Sequence, residues 1–254
     1  MTRLMPTISI ITPVFNGAAT ILDCLKSIDS QTYSPFEHFI INGNSTDTTL
    51  ALINTRKRPY RTVITEPDRG LYDAMNKGIK KATGDIVGIL NADDFYPADD
   101  ILSTVANAFK NIEIDSCYGD LLYVDSKDTD KTIRNWKSGK YARRKFFSGW
   151  MVPHPTFFVR RSIYEELGYF NLELGSAADY EIMIRFLVKH RITTTYLNKI
   201  IVKMRIGGAS NKSISGRLKA NRMDRKAWTV NGIKPYPWTV FLKPIRKIGQ
   251  WVIK

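Results

Sequence analysis

Gly84-Asp85-Ile86-Val87-Gly88-Ile89-Leu90-Asn91-Ala92-Asp93-Asp94-Phe95-Tyr96 changes character halfway along. Ile86 to Leu90 is a short apolar run bounded by turn signals, as expected of a strand covered on both faces, and the polarity then switches to Asn91, Asp93 and Asp94. Two acids therefore sit at a strand's carboxyl end. In open α/β sheets ligands bind just outside those ends, and adjacent carboxylates there suit a hard divalent cation carrying the phosphates of a nucleotide. Alone, the stretch leaves open a solvated Asp-Asp turn.

The same alternation extends outward in both directions. Thr7 to Val14 is a β-rich run closed by Pro13, Asn16 and Gly17, and Ile21, Leu22, Leu25 and Ile28 then recur at helical spacing. Phe36 to Ile41 reads as a second strand and is followed by a helix through Ile53; Thr62 to Thr65 is a third strand, and Leu71 to Lys81 a third helix. Strands alternating with helices imply parallel pairing and right-handed crossovers, so the loops at the strands' carboxyl ends share one rim. After Pro97 the rhythm loosens. A helix over Ile101 to Phe109, strands over Cys117 to Val124 and Ile133 to Trp136, and a strand over Phe157 to Val159 flank an irregular, ligand-facing segment from Gly139 to Pro155. Asp179 to His190 is an amphipathic helix with Ile182 and Phe186 inward. The fold class is α/β: one domain over residues 1–205 with a mostly parallel central sheet, and a basic, helical C-terminal extension over residues 206–254.

The net charge of +14 over 254 residues suggests nucleic acid or a membrane until its distribution is examined. Lys199 to Lys254 holds 14 of the 38 bases and only one of the 24 acids, Asp224. The basicity belongs to the tail, away from the domain that would carry base readout, and no nucleic-acid-binding motif is present, so a nucleic-acid partner is not expected. Cys24 and Cys117 are too few for a disulfide framework and fit a reducing compartment. Neither a signal-peptide pattern nor an apolar run of membrane-spanning length is present, which gives the expectation of a cytoplasmic protein.

Ile11-Thr12-Pro13-Val14-Phe15-Asn16, Asn44-Ser45-Thr46-Asp47, Asp68-Arg69-Gly70-Leu71-Tyr72-Asp73-Ala74-Met75-Asn76-Lys77-Gly78, Asn91-Ala92-Asp93-Asp94 and Ala178-Asp179-Tyr180-Glu181 follow one another in order. Together they resemble the family 2 glycosyltransferases of the GT-A (Rossmann-like) fold, in a branch that builds bacterial surface polysaccharides such as O-antigen, colanic acid and capsule. The resemblance implies transfer of a sugar, with inversion, from a nucleotide-sugar donor to a polyprenyl-diphosphate-linked saccharide acceptor, with Mn2+ or Mg2+ as cofactor. It assigns Asp179 as the catalytic base, Asp93 and Asp94 to the metal, and Thr12, Pro13, Val14, Asn42, Asp68, Asn76, Asp93 and Arg205 to the donor. The chemistry fits, since an alcohol needs a base and a diphosphate leaving group needs its charge neutralised. Two positions depart from the pattern: Asn42-Gly43 stands where the family commonly has an Asp-Asp or Asp-Gly pair that contacts the base, and Asn91 replaces the first acid of the Asp-x-Asp motif. Asn42 both donates and accepts, so UDP leads without excluding other bases. Arg205 to Ser210 resembles the mobile loop that closes over the diphosphate.

Other readings stand beside these. Asp179 suits a helix N-terminus through the helix dipole, Thr12 and Asn16 suit a turn, and Asp47 suits a helix cap. His154 between two prolines reads as structural, and Trp150 either stacks on an acceptor sugar or fills the core. A nucleotidyltransferase making nucleotide sugars would need a Gly-rich basic loop after the first strand, which Thr12 to Asn16 is not. An inactive sugar-nucleotide-binding relative would not be expected to keep Asp93, Asp94 and Asp179. In the tail, Phe241, Ile245, Ile248 and Val252 fall at helical spacing among bases, Pro244 suits the first turn of such a helix, and Trp238 and Trp251 suit a headgroup zone. That pattern gives the expectation of peripheral attachment to an anionic surface, the inner face of the bacterial plasma membrane.

Overall fold

The computed structural model describes residues 5–207 and 214–245. Strands β1 (Ile8–Val14), β2 (Phe36–Asn42), β3 (Arg61–Thr65) and β4 (Ile86–Ile89) lie parallel in the order β3-β2-β1-β4. The helices between them, α1 (Ile21–Asp29), α2 (Thr49–Asn54) and α3 (Leu71–Lys81), follow the predicted alternation. β1 is buried along its whole length, Ser9 and Thr12 included, as expected of a strand covered on both faces. α3 presses onto β1 so closely that a Cβ on Gly78 would sit 2.2 Å from Ile11 Cγ2, so only glycine fits there.

Beyond β4 the sheet continues with β8 (Phe158–Arg160), antiparallel to both neighbours, then β6 (Ser116–Val124), β9 (Thr194–Arg205) and the two-residue β5 (Asp94–Phe95), while β7 (Thr132–Trp136) forms a hairpin with β6. Sequence periodicity does not find β5 or β9. β5 is too short for any period, and in β9 most residues are half-buried, which blurs the alternation. The link they make is decisive, because β9 returns to pair Met204 with Asp94 and so fixes the acidic turn after β4.

Two apolar layers cover the sheet. One face packs α3 and a helical layer built from α5 (Arg143–Phe146), α6 (Arg161–Leu167) and α7 (Ala178–Met183), which runs on into a wider turn over Ile184–Lys189. The other face packs α1 and α4 (Ile101–Ala108). The segment from Gly139 to Pro155, expected to face ligand, turns inward instead: Phe146 and Val152 are fully buried, and Trp150, 7% exposed, donates its indole N–H to the Ser138 carbonyl at 3.0 Å. Its rings meet those of Tyr118, Tyr141 and Phe146 edge-on or tilted, so the aromatic cluster fills core.

The described part of the tail packs against this body. In α8 (Ile214–Thr229), Ala227 and Trp228 are fully buried in the main core, and the Trp228 indole donates to the Tyr180 hydroxyl at 3.1 Å. α9 (Thr239–Ile245) is anchored by buried Thr239, whose hydroxyl donates to the Phe147 carbonyl. This anchor starts the helix earlier than expected and places Pro244 at its sixth residue rather than in its first turn. Ile248, Trp251 and Val252 lie outside the described residues. No helix among the described residues is long and apolar enough to cross a membrane.

Candidate active site

The carboxyl ends of β1 and β4 and the start of α3 enclose a cleft of about 520 Å3, lined by Pro13, Val14, Asp68, Leu71, Asn91, Asp93 and Met204 among others. Four of the expected donor residues, Pro13, Val14, Asp68 and Asp93, meet here. The loops are locked by side chains that imitate backbone. Asn16, in the left-handed region at φ 50°, accepts from the Thr46 N–H at 2.8 Å, while Asp47 accepts from the Thr49 and Ala18 N–H groups. Asp47 thus serves the first turn of α2, and Asn16 ties the loop after β1 to the loop after β2.

Asp68 sits where the sequence departs from the family pattern. A Cβ on Gly43 would lie 2.2 Å from Asp68 Oδ2, so the glycine at 43 makes room for this carboxylate at the cleft wall. Asn42 is fully buried and both ends of its amide are engaged, donating to Thr65 Oγ1 and accepting from the Ser45 N–H. Thr12 is also fully buried. Because Arg61 Nε can only donate, His38 Nδ1 must accept from it, and His38 Nε2 then carries the proton that reaches Thr12 Oγ1 at 2.9 Å. Burial and the Arg61 charge hold His38 well below the usual histidine range.

Asn76 turns away from the cleft. Its amide donates to the Phe170 carbonyl and accepts from the Phe170 N–H, both at 2.9 Å, clamping α3 to the segment before α7. The Phe170 ring lies 5.3 Å from Tyr72 and 5.5 Å from His154, centroid to centroid. Asp179, in the first turn of α7, is half-buried and faces this group. The Tyr72 hydroxyl touches it, and burial and the Asp179 charge push Tyr72 up, while the same charge partly offsets the downward pull of burial on His154.

The two acids after β4 part company. Asp93 lines the cleft, whereas Asp94 is fully buried and accepts from Asn91 Nδ2 at 3.1 Å. Asp94 Oδ1 and Asn91 Oδ1 are buried acceptors without a partner. Burial, then the Asp93 charge, pushes the Asp94 carboxyl well above the usual range, and burial raises Asp93 as well. A corner with two unpartnered buried acceptor oxygens fits a hard cation such as Mn2+ or Mg2+, although no cluster of three or more His, Cys, Asp or Glu exists among the described residues. Arg205 braces this corner: it donates to the Asp93 carbonyl at 2.8 Å, pairs with Asp23 at 2.6 Å and lies over the Phe95 ring. Residues 208–210 of the expected lid lie outside the described residues. Leu71, Ala74 and Met204 line the cleft without having been singled out in the sequence; being apolar, they carry no chemical signature.

A mostly parallel sheet with a nucleotide-sized cleft and acids at its strand ends is the GT-A architecture of glycosyltransferases. The family model for glycosyl transferase family 2 matches residues 9–168, and the chain belongs to that family and is a glycosyltransferase. A PGL/p-HBAD biosynthesis glycosyltransferase of Mycobacterium tuberculosis is 33% identical over 211 residues, which cover 81% of this chain and 80% of the relative. Chondroitin synthase of Pasteurella multocida is 26% identical over 77% of this chain and 20% of its own length. Among solved structures, S. aureus TarS 1-349 in complex with UDP-GlcNAc aligns at a TM-score of 0.71 and 18% identity, covering 93% of this chain and 69% of that one. The mannosyltransferase PcManGT of Pyrobaculum calidifontis, in complex with GDP-Man and Mn2+, aligns at 0.65 and 19% identity over 94% and 69%.

Proposed function

We propose that the protein is an inverting, metal-dependent glycosyltransferase that moves a sugar from a nucleoside diphosphate sugar, with UDP favoured, to a hydroxyl of a saccharide carried on polyprenyl diphosphate. The observation that carries this reading is that Asp93 stands in the cleft wall while Asp179, on a separate helix, and Asp94, beside Asp93, both act on the Tyr123 hydroxyl. One carboxylate serves the leaving group, the other the acceptor. Pro13 and Val14 form one wall of the donor cleft and Asp68 offers an acceptor to a base N–H such as that of uracil. Thr12, Asn42 and Arg205 act from behind, holding the strand ends and the Asp93 turn in place, and Asn76 holds α3 to Phe170.

Asp93 is the direct metal contact in this scheme, since it faces the cleft, and buried Asp94 with Asn91 completes the corner behind it. When bound there, Mn2+ or Mg2+ neutralises charge developing on the diphosphate. Asp179 takes the proton from the acceptor hydroxyl as oxygen attacks the anomeric carbon opposite the departing diphosphate, which inverts that carbon. Tyr72 orients the carboxylate. The membrane is the place for such an acceptor, and exposed Tyr236, Trp238 and Phe241 beside the tail's bases support attachment to an anionic cytoplasmic surface.

A thermal-shift panel of nucleotide sugars with Mn2+ or Mg2+ tests the donor assignment, because a ligand that binds only the folded state stabilises it by mass action. A UDP-sugar with metal should give the largest shift. A panel in which no nucleotide sugar shifts the transition overturns the reading.

A further inference from the structure

Three arginines are buried among the described residues: Arg61, Arg134 and Arg205. Arg61 pairs with Asp29 and Arg205 with Asp23, both at 2.6 Å. Arg134, on β7, is 8% exposed; its guanidinium bonds the Tyr123 side chain, but its buried Nε has no hydrogen-bond partner and no carboxylate among the described residues offsets its charge. The guanidinium lies 3.6 Å from the centroid of the Tyr123 ring and 5.7 Å from that of Trp136. Stacking on aromatic faces offsets part of the desolvation but leaves the charge unneutralised and the Nε donor unused. A buried cation of this kind is costly unless an anion completes it.

Its position says which anion. Asp94 pairs with Met204 across β5 and β9, Met204 with Tyr123 across β9 and β6, and Tyr123 with Arg134 across β6 and β7. Residues directly opposite one another in a sheet point to the same face, so these form one row. Met204 lines the donor cleft, and the half-buried Tyr123 hydroxyl feels the charges of both Asp94 and Asp179. The Tyr123–Arg134 stack therefore flanks the gap between the two acids, where an acceptor must enter to present its hydroxyl.

We propose that Arg134, backed by Tyr123 and Trp136, is an anion subsite on the acceptor side of the cleft that takes phosphate oxygens. This rests on the glycosyl-transfer reading for its place in the reaction. A guanidinium fork matches phosphate geometry, and a saccharide acceptor carried on a diphosphate supplies two such groups. The donor's own diphosphate has the same chemistry, so the test must separate the two.

The full-length protein, saturated with UDP and Mg2+, is titrated with inorganic diphosphate and with farnesyl diphosphate. Wild type should bind both. Arg134→Gln should weaken that second binding about tenfold or more, Arg134→Lys should fall between because it keeps the charge and loses the fork, and affinity for UDP should stay unchanged. Should Arg134→Gln not fold, Arg134→Lys and Tyr123→Phe carry the same comparison. A loss of UDP affinity with the second binding intact moves the phosphate to the donor and overturns the acceptor-side assignment. Unchanged affinities for both overturn the subsite and leave Arg134 as a stacking residue. If UDP fails to bind wild type, the glycosyl-transfer reading falls, while titration of diphosphate without nucleotide still reports on Arg134.

Discussion

At the scale of single residues, the active site separates groups that act from groups that hold. Asp179→Asn should abolish transfer while leaving donor affinity within about twofold, because the proposed base serves the acceptor and not the nucleotide. Parallel collapse of donor affinity would place Asp179 on the donor side instead. Asp94→Asn should raise the melting temperature of the metal-free protein by a few degrees, since it replaces a buried, desolvated carboxyl that has an unpartnered oxygen, and should lower turnover sharply. A drop in melting temperature would show that the carboxylate is satisfied in the free protein. His38 gives a pH signature. Its folded-state pKa is held below the unfolded value of about 6.5, so its contribution is complete above that pH and is lost as pH falls, by up to about 1.4 kcal/mol per pH unit. Urea unfolding between pH 7.5 and 5.5 should show a shallower pH slope for His38→Asn than for wild type, with His154 acting in the same direction and the raised Asp93 and Asp94 carboxyls in the opposite one.

Among the elements, the α3 clamp links the proposed donor and acceptor sides. Asn76 makes both ends of Phe170's backbone depend on a helix that also lines the donor cleft through Leu71 and Ala74. Asn76→Ala leaves a buried N–H and C=O without partners and should cost about 2–4 kcal/mol in urea unfolding. Where the variant stays folded, kcat should fall more than donor affinity, because Tyr72, His154 and Asp179 lose their common support. The same element shows how far sequence reasoning reaches. The helix from Leu71 to Lys81, the first four strands and the Asp93-Asp94 turn could be read from period and polarity, because each is local. Asn76's partner lies far along the chain, so sequence pointed to the donor where the structure shows Phe170. The choice between the two readings of Trp150, acceptor stacking or core, and the pairing of β5 with β9 were hidden for the same reason: long-range packing leaves no period. Arg134 had no motif and became visible only through its unpartnered Nε and the absence of a carboxylate beside it among the described residues.

For the whole molecule, the tail has two kinds of surface. Trp228, Thr239 and Val240 are buried, and Lys243 bonds Asp224 while lying 3.8 Å from the centre of the Tyr180 ring. Tyr236, Trp238 and Phe241 are exposed, the first two stacked with centroids 5.1 Å apart. Trp238→Ser with Phe241→Ser should therefore weaken sedimentation with anionic liposomes about tenfold without lowering the melting temperature, and high salt should weaken it further. Equal sedimentation of the variant would rule out this patch as the anchor. The Trp228 contact bears on how such a chain can be divided. Tyr180 directly follows the proposed base, and its hydroxyl is held by an indole from beyond residue 205, while Asn231 reaches Glu181 on the same helix. A fragment ending at Arg205 would uncover an apolar seat the size of an indole beneath its own catalytic helix, so a chimera that borrows another relative's tail must place its seam after Asn231.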